Sequence, residues 1–582
     1  VKSRTKGSGP EKGGRAGLFS VLTPYRGTVV LLVIMALAGS GINLLIPRII
    51  AHTIDSYSAG QFNTEKVIWQ FLAAASGIFI FTFVQGILQT LTSEKVAQDL
   101  RNKLAEKLSL QSYTFIIRTT AAKLLTNLTS DMDSVKMFVS MAFVNIISSL
   151  FVIVGAAFLL IRINWKLALA VLVIVPIIAF AFYVVFKKVR VIFRKSREVI
   201  DGLNRIINES ILASALIRVL NSQEPECMKF LEKNVESRDL GLSIVKLFSG
   251  LIPIIMFVSN LAIVIILALG GHFVVAGTLS LGDFAAFNSY IIMLIFPVMM
   301  IGFMSNIIAS ATASHGRIQQ VLDEPPPEEP VSQGTEIKGN ILVENVSLNL
   351  GGKPVLKNIS FSVSPGSKTA IIGPTAGGKS QLLYLLTNLI PPDSGRIEFD
   401  GMPVSQYSRE LFHRQLGFVF QDSVIFNMSL RENIAFNEAV TEESLMKAIE
   451  TSELSDFIET LPSRLETVVS ERGTSLSGGQ KQRIMLARAL AMNPKILLLD
   501  DFTSRVDRKT ENTILCNIQN NYPELTLISV TQKISPVKHF DQIILLMEGE
   551  IIAIGKHKEL LERSPEYNQI YSSQRSTHHY EL

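Results

Sequence analysis

The sequence predicts two folds in series: an α-helical membrane domain of six spans, then an α/β domain built on a buried parallel sheet. Three observations carry this. Residues 27 to about 310 hold six apolar runs, a Pro- and Glu-rich stretch follows at 321–334, and beyond it short apolar strands alternate with Gly and Pro turns and helical segments. The 582 residues suffice for more than one domain. Hydrophobic residues make up 48%, charged residues 18%, and the mean hydropathy is positive. That balance is expected of a membrane protein carrying a soluble part.

The apolar runs lie near 28–50, 67–91, 137–161, 165–186, 246–269 and 284–308. Each has about 20 residues or more, enough to cross a hydrocarbon core of about 30 Å as a helix, which satisfies its own backbone polar groups. Basic residues mark the cytoplasmic side. They are Lys2, Arg4, Lys6, Lys12, Arg15 and Arg26 at the start, Lys95, Arg101, Lys103, Lys107, Arg118 and Lys123 in the connection 92–136, and "KKVRVIFRKSR" opening the connection 187–245. The other connections are short and poorer in Lys and Arg. Both termini are therefore expected inside the cell. The helices should continue past the membrane, since "SEKVAQDLRNKLAEKLSLQ" (93–111) has helical charge spacing without Pro or Gly.

The opening "VKSRTKGSGPEKGGRAG" reads as a disordered cytoplasmic tail, because the apolar run after it is too long for a signal peptide and lacks a small-residue cleavage site. The chain then divides into a tail at 1–20, a membrane domain at 21–320, a linker at 321–338, an α/β domain at 339–575 and a tail at 576–582. Net charge is +5 with the basic residues dispersed, which does not indicate nucleic acid. Cys227 and Cys516 are the only cysteines, far apart and outside any metal-ligand spacing.

Four motifs in the second half carry chemistry. "GPTAGGKS", 373–380, fits G-x-x-x-x-G-K-[ST] between the strand "KTAII" and the helix "SQLLYLL". Such a loop, here Gly373, Thr375, Ala376, Gly377 and Gly378, wraps a phosphate chain with backbone N–H groups and the positive end of the helix. Lys379 would reach the β- and γ-phosphates and Ser380 would hold Mg²⁺. "LSGGQKQRIMLARAL" sets Ser477, Gly478, Gly479 and Gln480 at the start of a helix, where bare N–H groups favour an anion. "KILLLD" is a buried strand ending on Asp500, a carboxylate suited to water-mediated Mg²⁺ coordination. Gln421, in "GFVFQDSVIF", is a polar residue ending a strand.

These motifs in this order, after six spans, resemble the ATP-binding cassette (ABC) transporters of the exporter type. The resemblance runs from about residue 20 to 570 and implies a six-helix membrane domain fused to an ABC-type P-loop NTPase domain. It implies ATP and Mg²⁺ as cofactors, with Mg²⁺ held at Ser380, Gln421 and Asp500. It also implies pairing of two such halves, each ATP lying between the P-loop of one and the signature of the other. "QSYTF" (111–115) and "SALIRVLNS" (214–222) fall where the family has its coupling helices.

Against the family pattern several positions differ. The catalytic carboxylate is usually Glu, which polarises the attacking water; here it is Asp501, one methylene shorter, and a shift of about 1 Å can cost on the order of 10²-fold. The switch His is replaced by Gln532, a neutral donor. The aromatic that stacks on adenine is replaced by Leu350. Ala376 stands before Gly377 where glycine is commoner, and Gln381 stands where Thr is usual. The expectation is a site that binds ATP but hydrolyses it poorly, in a chain whose intact signature serves a partner half with a consensus Glu and His. The implied protein is half of a heterodimeric exporter in a bacterial inner membrane, in contact with the bilayer and moving small amphipathic compounds. A lipid or peptide exporter half, and a channel or regulator on the same scaffold, are the alternatives. The last span carries Met293, Phe296, Met299, Met300 and Met304, suited to varied apolar ligands. No span holds a dense charge cluster, so a highly charged cargo is not indicated.

Overall fold

The structure is a computed structural model that describes residues 17–326, 336–470 and 473–578. The expected N-terminal tail as far as residue 16, the linker at 327–335 and the last four residues, 579–582, lie outside the described residues. The chain forms two compact units. The first runs through Leu110 and resumes at Thr119–Pro325, and the second holds Gln111–Arg118 and the chain from Pro326 onward.

The first unit has six helices long and apolar enough to cross a membrane: α1 (Leu18–Ser58), α2 (Thr64–Ser109), α3 (Ala121–Ile163), α4 (Trp165–Leu212), α5 (Gln223–Val275) and α6 (Leu281–Leu322). They have 41 to 53 residues, about twice what a span requires, as the charged continuation of α2 predicted. Their starts are fixed by side-chain caps. Asn63 accepts from the Lys66 N–H, Asn164 from Leu167, and Ser280 from Asp283. Asp55, on α1, binds both the Ser280 hydroxyl (2.7 Å) and the Gly282 N–H (2.8 Å). A Cβ at Gly282 would lie 2.0 Å from the Ala51 carbonyl oxygen, so only glycine lets α6 start this close to α1. Deeper in, Tyr290 is fully buried and donates to the Leu44 carbonyl at 2.9 Å, which satisfies its hydroxyl among apolar neighbours.

The second unit is the α/β domain. Strands β1 (Ile341–Leu350), β2 (Lys353–Val363), β4 (Ser394–Phe399) and β5 (Met402–Pro403) form an antiparallel sheet in the order β2-β1-β4-β5. Strands β3 (Lys368–Ile372), β6 (Leu416–Val419), β7 (Ile496–Asp500), β8 (Thr526–Thr531), β9 (Gln542–Met547) and β10 (Glu550–Gly555) form a second sheet in the order β10-β9-β3-β8-β7-β6. This sheet is parallel except for its β10 edge. Every residue of β7 and β8 is buried, which accords with the unbroken apolar run Ile496–Leu499 of β7 and with small hydroxyl residues as the polar members of β8. One core, with Leu382, Leu386 and Ile528, lies on one face; another, with Ile484, Leu499 and Ile514, lies on the other.

Three details depart from the sequence expectations. Gln111–Arg118 groups with the α/β unit rather than with the membrane domain 21–320, and the Tyr113 ring meets Tyr384 edge-on at 5.7 Å. Ile337 is already buried in the α/β core, ahead of the expected start at 339. The helical reading of "LLYLLTNLI" stops at Leu386, because Asn388 takes a left-handed turn (φ 55°).

In the first unit Arg317 forms an ion pair with the buried Asp131, which also accepts from Ser314 at 2.9 Å. Burial alone would raise the Asp131 carboxyl, but the Arg317 and Ser314 hydrogen bonds outweigh it and hold it below its usual range. Replacing Arg317 by Met should strand that carboxylate. The expected loss is about 2 kcal/mol, less than for a fully enclosed pair because the Arg317 side chain is 44% exposed. Thermal unfolding of the purified protein checks this. Arg317→Met with Asp131→Asn should recover part of the loss, and an unchanged midpoint in the single variant would remove the pair from the stability account.

Candidate nucleotide-binding site

In a parallel sheet the strands end along one edge, and loops leaving that edge converge. Here β3 runs into 373–380, β6 leads to Gln421, β7 ends on Asp500, and β8 ends one residue before Gln532. Together with the turn after β1 they surround a cleft of about 440 Å³. Of the residues predicted from sequence, Leu350, Thr375, Ala376, Gly377, Gly378, Lys379, Ser380, Gln381, Gln421, Asp500, Asp501 and Gln532 all line it. Gly373 does not, but its carbonyl accepts a hydrogen bond from Lys379 Nζ at 2.9 Å, and the Pro374 carbonyl accepts another at 2.7 Å. Burial holds the Lys379 ammonium below its usual pKa, while Asp501 and Asp500 oppose the shift.

The loop geometry follows from its residues. Gly378 has φ 90°, and a Cβ there would meet Leu356 at 2.8 Å and the Val355 carbonyl at 3.0 Å. Ala376 has φ 64°, a left-handed conformation that costs a residue with a Cβ about 1 kcal/mol or more. The unusual Ala-Gly order thus puts strain in the phosphate loop itself. Leu350 ends β1 at 40% exposure, before Gly351 and Gly352, both at positive φ. With Val355 it gives the cleft an aliphatic wall in place of an aromatic one.

Asp500 and Asp501 have different surroundings. Asp500 is 2% exposed, and burial raises its carboxyl above the usual range against the opposing Ser380 hydrogen bond. Its Oδ2 is buried without a partner. An orphaned oxygen beside a serine hydroxyl is the hard donor set that Mg²⁺ and its waters complete, so these residues fit the ion. Asp501 sits one residue on, at φ 45°, with its N–H donating to the Val530 carbonyl at 2.9 Å. Burial raises its carboxyl too, opposed by Lys379 and Lys533. Lys533, Val355 and Val530 were missed in the sequence. The first stands beside Gln532 in "VTQKIS", and the two valines look like ordinary strand residues.

Ser477, Gly478, Gly479 and Gln480 do not line this cleft. They open helix α7 (Gly478–Leu490) in a capping box: the Ser477 hydroxyl accepts from Gln480 N–H at 3.2 Å and Gln480 Oε1 from Ser477 N–H at 2.8 Å. A Cβ at Gly479 would lie 2.9 Å from the Arg505 carbonyl oxygen. Further along α7, the buried Gln482 donates to the Gln421 carbonyl at 3.3 Å, tying this helix to one wall of the cleft.

A phosphate loop, a Mg²⁺-type carboxylate and a six-helix membrane unit in one chain define a transport ATPase joined to its membrane domain. Family comparison agrees. Residues 29–298 match the ABC transporter transmembrane region and 356–504 the ABC transporter domain. The chain belongs to the ABC transporter family, as a half-transporter of the exporter type. It is 34% identical over 95% of its length, and 98% of the relative's, to the uncharacterized ABC transporter ATP-binding protein YfiB of Bacillus subtilis. It is 28% identical to the ATP-dependent lipid A-core flippase of Syntrophus aciditrophicus, over 85% of this chain and 83% of that one. It is 29% identical to the "Probable multidrug resistance ABC transporter ATP-binding/permease protein YheI" of Bacillus subtilis, over 93% and 94%. A bacterial Atm1-family ABC exporter with ATP bound shares the fold, with a TM-score of 0.80 and 24% identity over 95% of this chain and 99% of that one.

If the left-handed turn at Ala376 is strained, Ala376→Gly should relieve it. We expect a gain of about 0.5–1 kcal/mol, because glycine adopts positive φ freely although it loses more chain entropy. Thermal unfolding of the nucleotide-free protein reads it, and a lower midpoint would show instead that the Ala376 methyl makes favourable contacts.

Proposed function

We propose that this chain is the degenerate-site half of a heterodimeric, ATP-driven exporter of amphipathic compounds in a bacterial cell membrane, with both termini and the ATPase unit cytoplasmic. The observation that carries the reading is the pairing of Asp501 and Gln532 on one cleft that keeps the phosphate-loop Lys379, Ser380 and the carboxylate Asp500.

The steps at this site follow from its side chains. ATP draws Lys379 off the Gly373 and Pro374 carbonyls onto its phosphates. Backbone N–H groups of 375–380 and the helix N-terminus hold the phosphate chain. Ser380, Gln421 and Asp500 would hold Mg²⁺ through oxygen or water, and the ion would supply charge neutralisation on the phosphates. Asp501 is left to orient the water. Its carboxylate is short, and its backbone cannot slide forward to compensate without breaking the N–H bond to Val530. Gln532 offers a neutral amide donor of different shape where the family has His. Both deficits fall on the transition state, so turnover drops while binding persists.

The signature, with its cap intact, acts on the ATP of the partner half, which supplies Glu and His. The membrane unit carries the cargo, in keeping with relatives named for multidrug resistance and for lipid A-core flipping.

Asp501→Glu alone should restore little hydrolysis at this site, and Asp501→Glu with Gln532→His considerably more. Turnover per site in the purified pair, with the partner's site inactivated, is the measurement; full recovery in the single variant would show that Gln532 is no defect.

Gly479→Asp should nearly abolish ATPase activity of the assembled pair, since the new side chain collides with the Arg505 carbonyl and sets a negative charge at an anion site. Lys379→Ala should weaken nucleotide binding here and leave partial activity. Equal losses from the two variants would point to two equivalent sites.

In a single-turnover trap with radiolabelled ATP, about one ATP per dimer should stay intact after the other has become ADP, as expected when groups acting only in the transition state are missing. Rapid conversion of both, or an empty second site at saturating ATP, sinks the degenerate-site reading.

A further inference from the structure

The membrane unit holds a cavity of about 630 Å³ between α3, α4 and α6. The Met-rich stretch of the last span does not line it; from α6 it takes Val298, Ile301, Gly302 and Ser305 instead. Most of its wall is α4. Val175, Ala179, Tyr183, Lys187 and Val191 are four residues apart, as are Phe182, Phe186 and Arg190, so two adjacent helical rows face one space. Taken together the rows pass from aliphatic (Val175, Ala179) through aromatic (Phe182, Tyr183, Phe186) to cationic (Lys187, Arg190), with Val191 at the far rim. Val175 and Lys187 are separated by about 18 Å along the helix, close to the depth of one leaflet, about 15 Å. The cations stand where the apolar span 165–186 ends, at the level of the head groups.

The aromatic part is rigid. Phe182 stacks on Phe186 at 5.8 Å, and Phe303 meets Phe186 edge-on at 5.3 Å. Gly302 keeps the opposite wall bare, since a Cβ there would touch Phe182 at 3.4 Å and Phe186 at 3.6 Å. Some cations of this unit have carboxylate partners, as Lys136 has Glu94, Lys233 has Glu236 and Arg317 has Asp131; what sets Lys187 and Arg190 apart is that they line the cavity. Among the described residues Lys187 and Arg190 make no ion pair and no hydrogen bond, although they border an apolar cavity.

We propose that this cavity binds an anionic membrane lipid of the cytoplasmic leaflet, its phosphate held by Lys187 and Arg190 and one acyl chain laid along the α4 rows between Phe182, Phe186 and Gly302. The proposal deepens the export reading and rests on it for treating the occupant as cargo. Two unpaired cations supply charge-assisted hydrogen bonds to a phosphate. The aliphatic end takes the chain without desolvating any polar group, and the length of the rows matches a leaflet. A cationic amphiphile of the same length would set like charges together at the head end.

The test is binding of n-dodecyl phosphate, n-dodecyltrimethylammonium and inorganic phosphate to the full-length protein in nanodiscs of zwitterionic lipid, by calorimetry without ATP. Dodecyl phosphate should bind about tenfold or more tightly than the ammonium amphiphile, as one or two charge-assisted bonds give. Inorganic phosphate should neither bind nor compete, and phosphatidylglycerol in the nanodisc should compete. Lys187→Gln with Arg190→Gln should erase the preference. Gly302→Leu should weaken both amphiphiles and keep it. A thermal unfolding midpoint of the membrane unit unchanged from the parent protein shows that each variant has folded. Equal binding of the two amphiphiles, a preference that survives the double change, competition by inorganic phosphate, or none by phosphatidylglycerol would overturn the proposal. A pair that pumps a cationic dye yet binds no dodecyl phosphate refutes this site and leaves export standing; lipid binding with no ATP-driven movement of any substrate does the reverse.

Discussion

In the parallel register of the second sheet, Ile372 of β3 lies opposite Thr531 of β8, Asp500 of β7 opposite Val530, and Val419 of β6 opposite Leu499. The nucleotide cleft depends on this alignment. Each strand ends within a residue or two of its neighbour, so the phosphate loop, Gln421, the two aspartates and Gln532 leave the sheet together. A slip of one residue in β7 would turn Asp500 to the opposite face and bury a leucine among the phosphates. The register is supported by burial on both faces of β7 and β8: a one-residue slip would exchange the side chains facing the two cores.

The same alignment separates what binds from what reacts. Lys379, Ser380 and the loop N–H groups belong to β3, the loop after it and the following helix, and on the proposed reading they contact phosphate in ground and transition states alike. Asp501 and Gln532 come from the ends of β7 and β8, and on that reading their work is confined to the attacking water and the transferred phosphoryl group. Changes at the second pair would then accumulate without emptying the cleft. The strain at Ala376 is different in kind: it lies in the binding loop and bears on the empty protein as well as the loaded one.

Much of this was legible in the sequence, for physical reasons that differ by region. The six spans follow from length and hydropathy, since a membrane admits few other forms. The cleft residues follow from the strand–loop–helix context of "GPTAGGKS" and the apolar strand before Asp500. The left-handed turn at Ala376 was foreshadowed by its place in a glycine-rich loop. What stayed hidden depends on contacts distant in sequence. Nothing in "QSYTF" says that Tyr113 packs on Tyr384, and nothing in "VSLNLGGKPVL" marks Val355 as cleft wall. The basic run after the fourth span was read as a topology signal only. That Lys187 and Arg190 continue two rows of cavity-lining side chains is visible once α4 is placed against α6.

The signature segment and the cleft occupy separate surfaces, and this bears on how one could decay while the other did not. The cap at Ser477 needs only Gln480, three residues on, and the bare faces of Gly478 and Gly479 need only the close approach of Arg505. None of these contacts involves Leu350, Ala376, Asp501 or Gln532. A substitution at Asp501 leaves the α7 N-terminus and its positive end as they were, so a chain can lose its own hydrolysis and remain a competent second half for another ATP. The link that does exist, Gln482 on the Gln421 carbonyl, runs through Gln421 rather than through Asp501. On the proposed reading, occupancy at this site and turnover at the other are the two signals such a chain can carry.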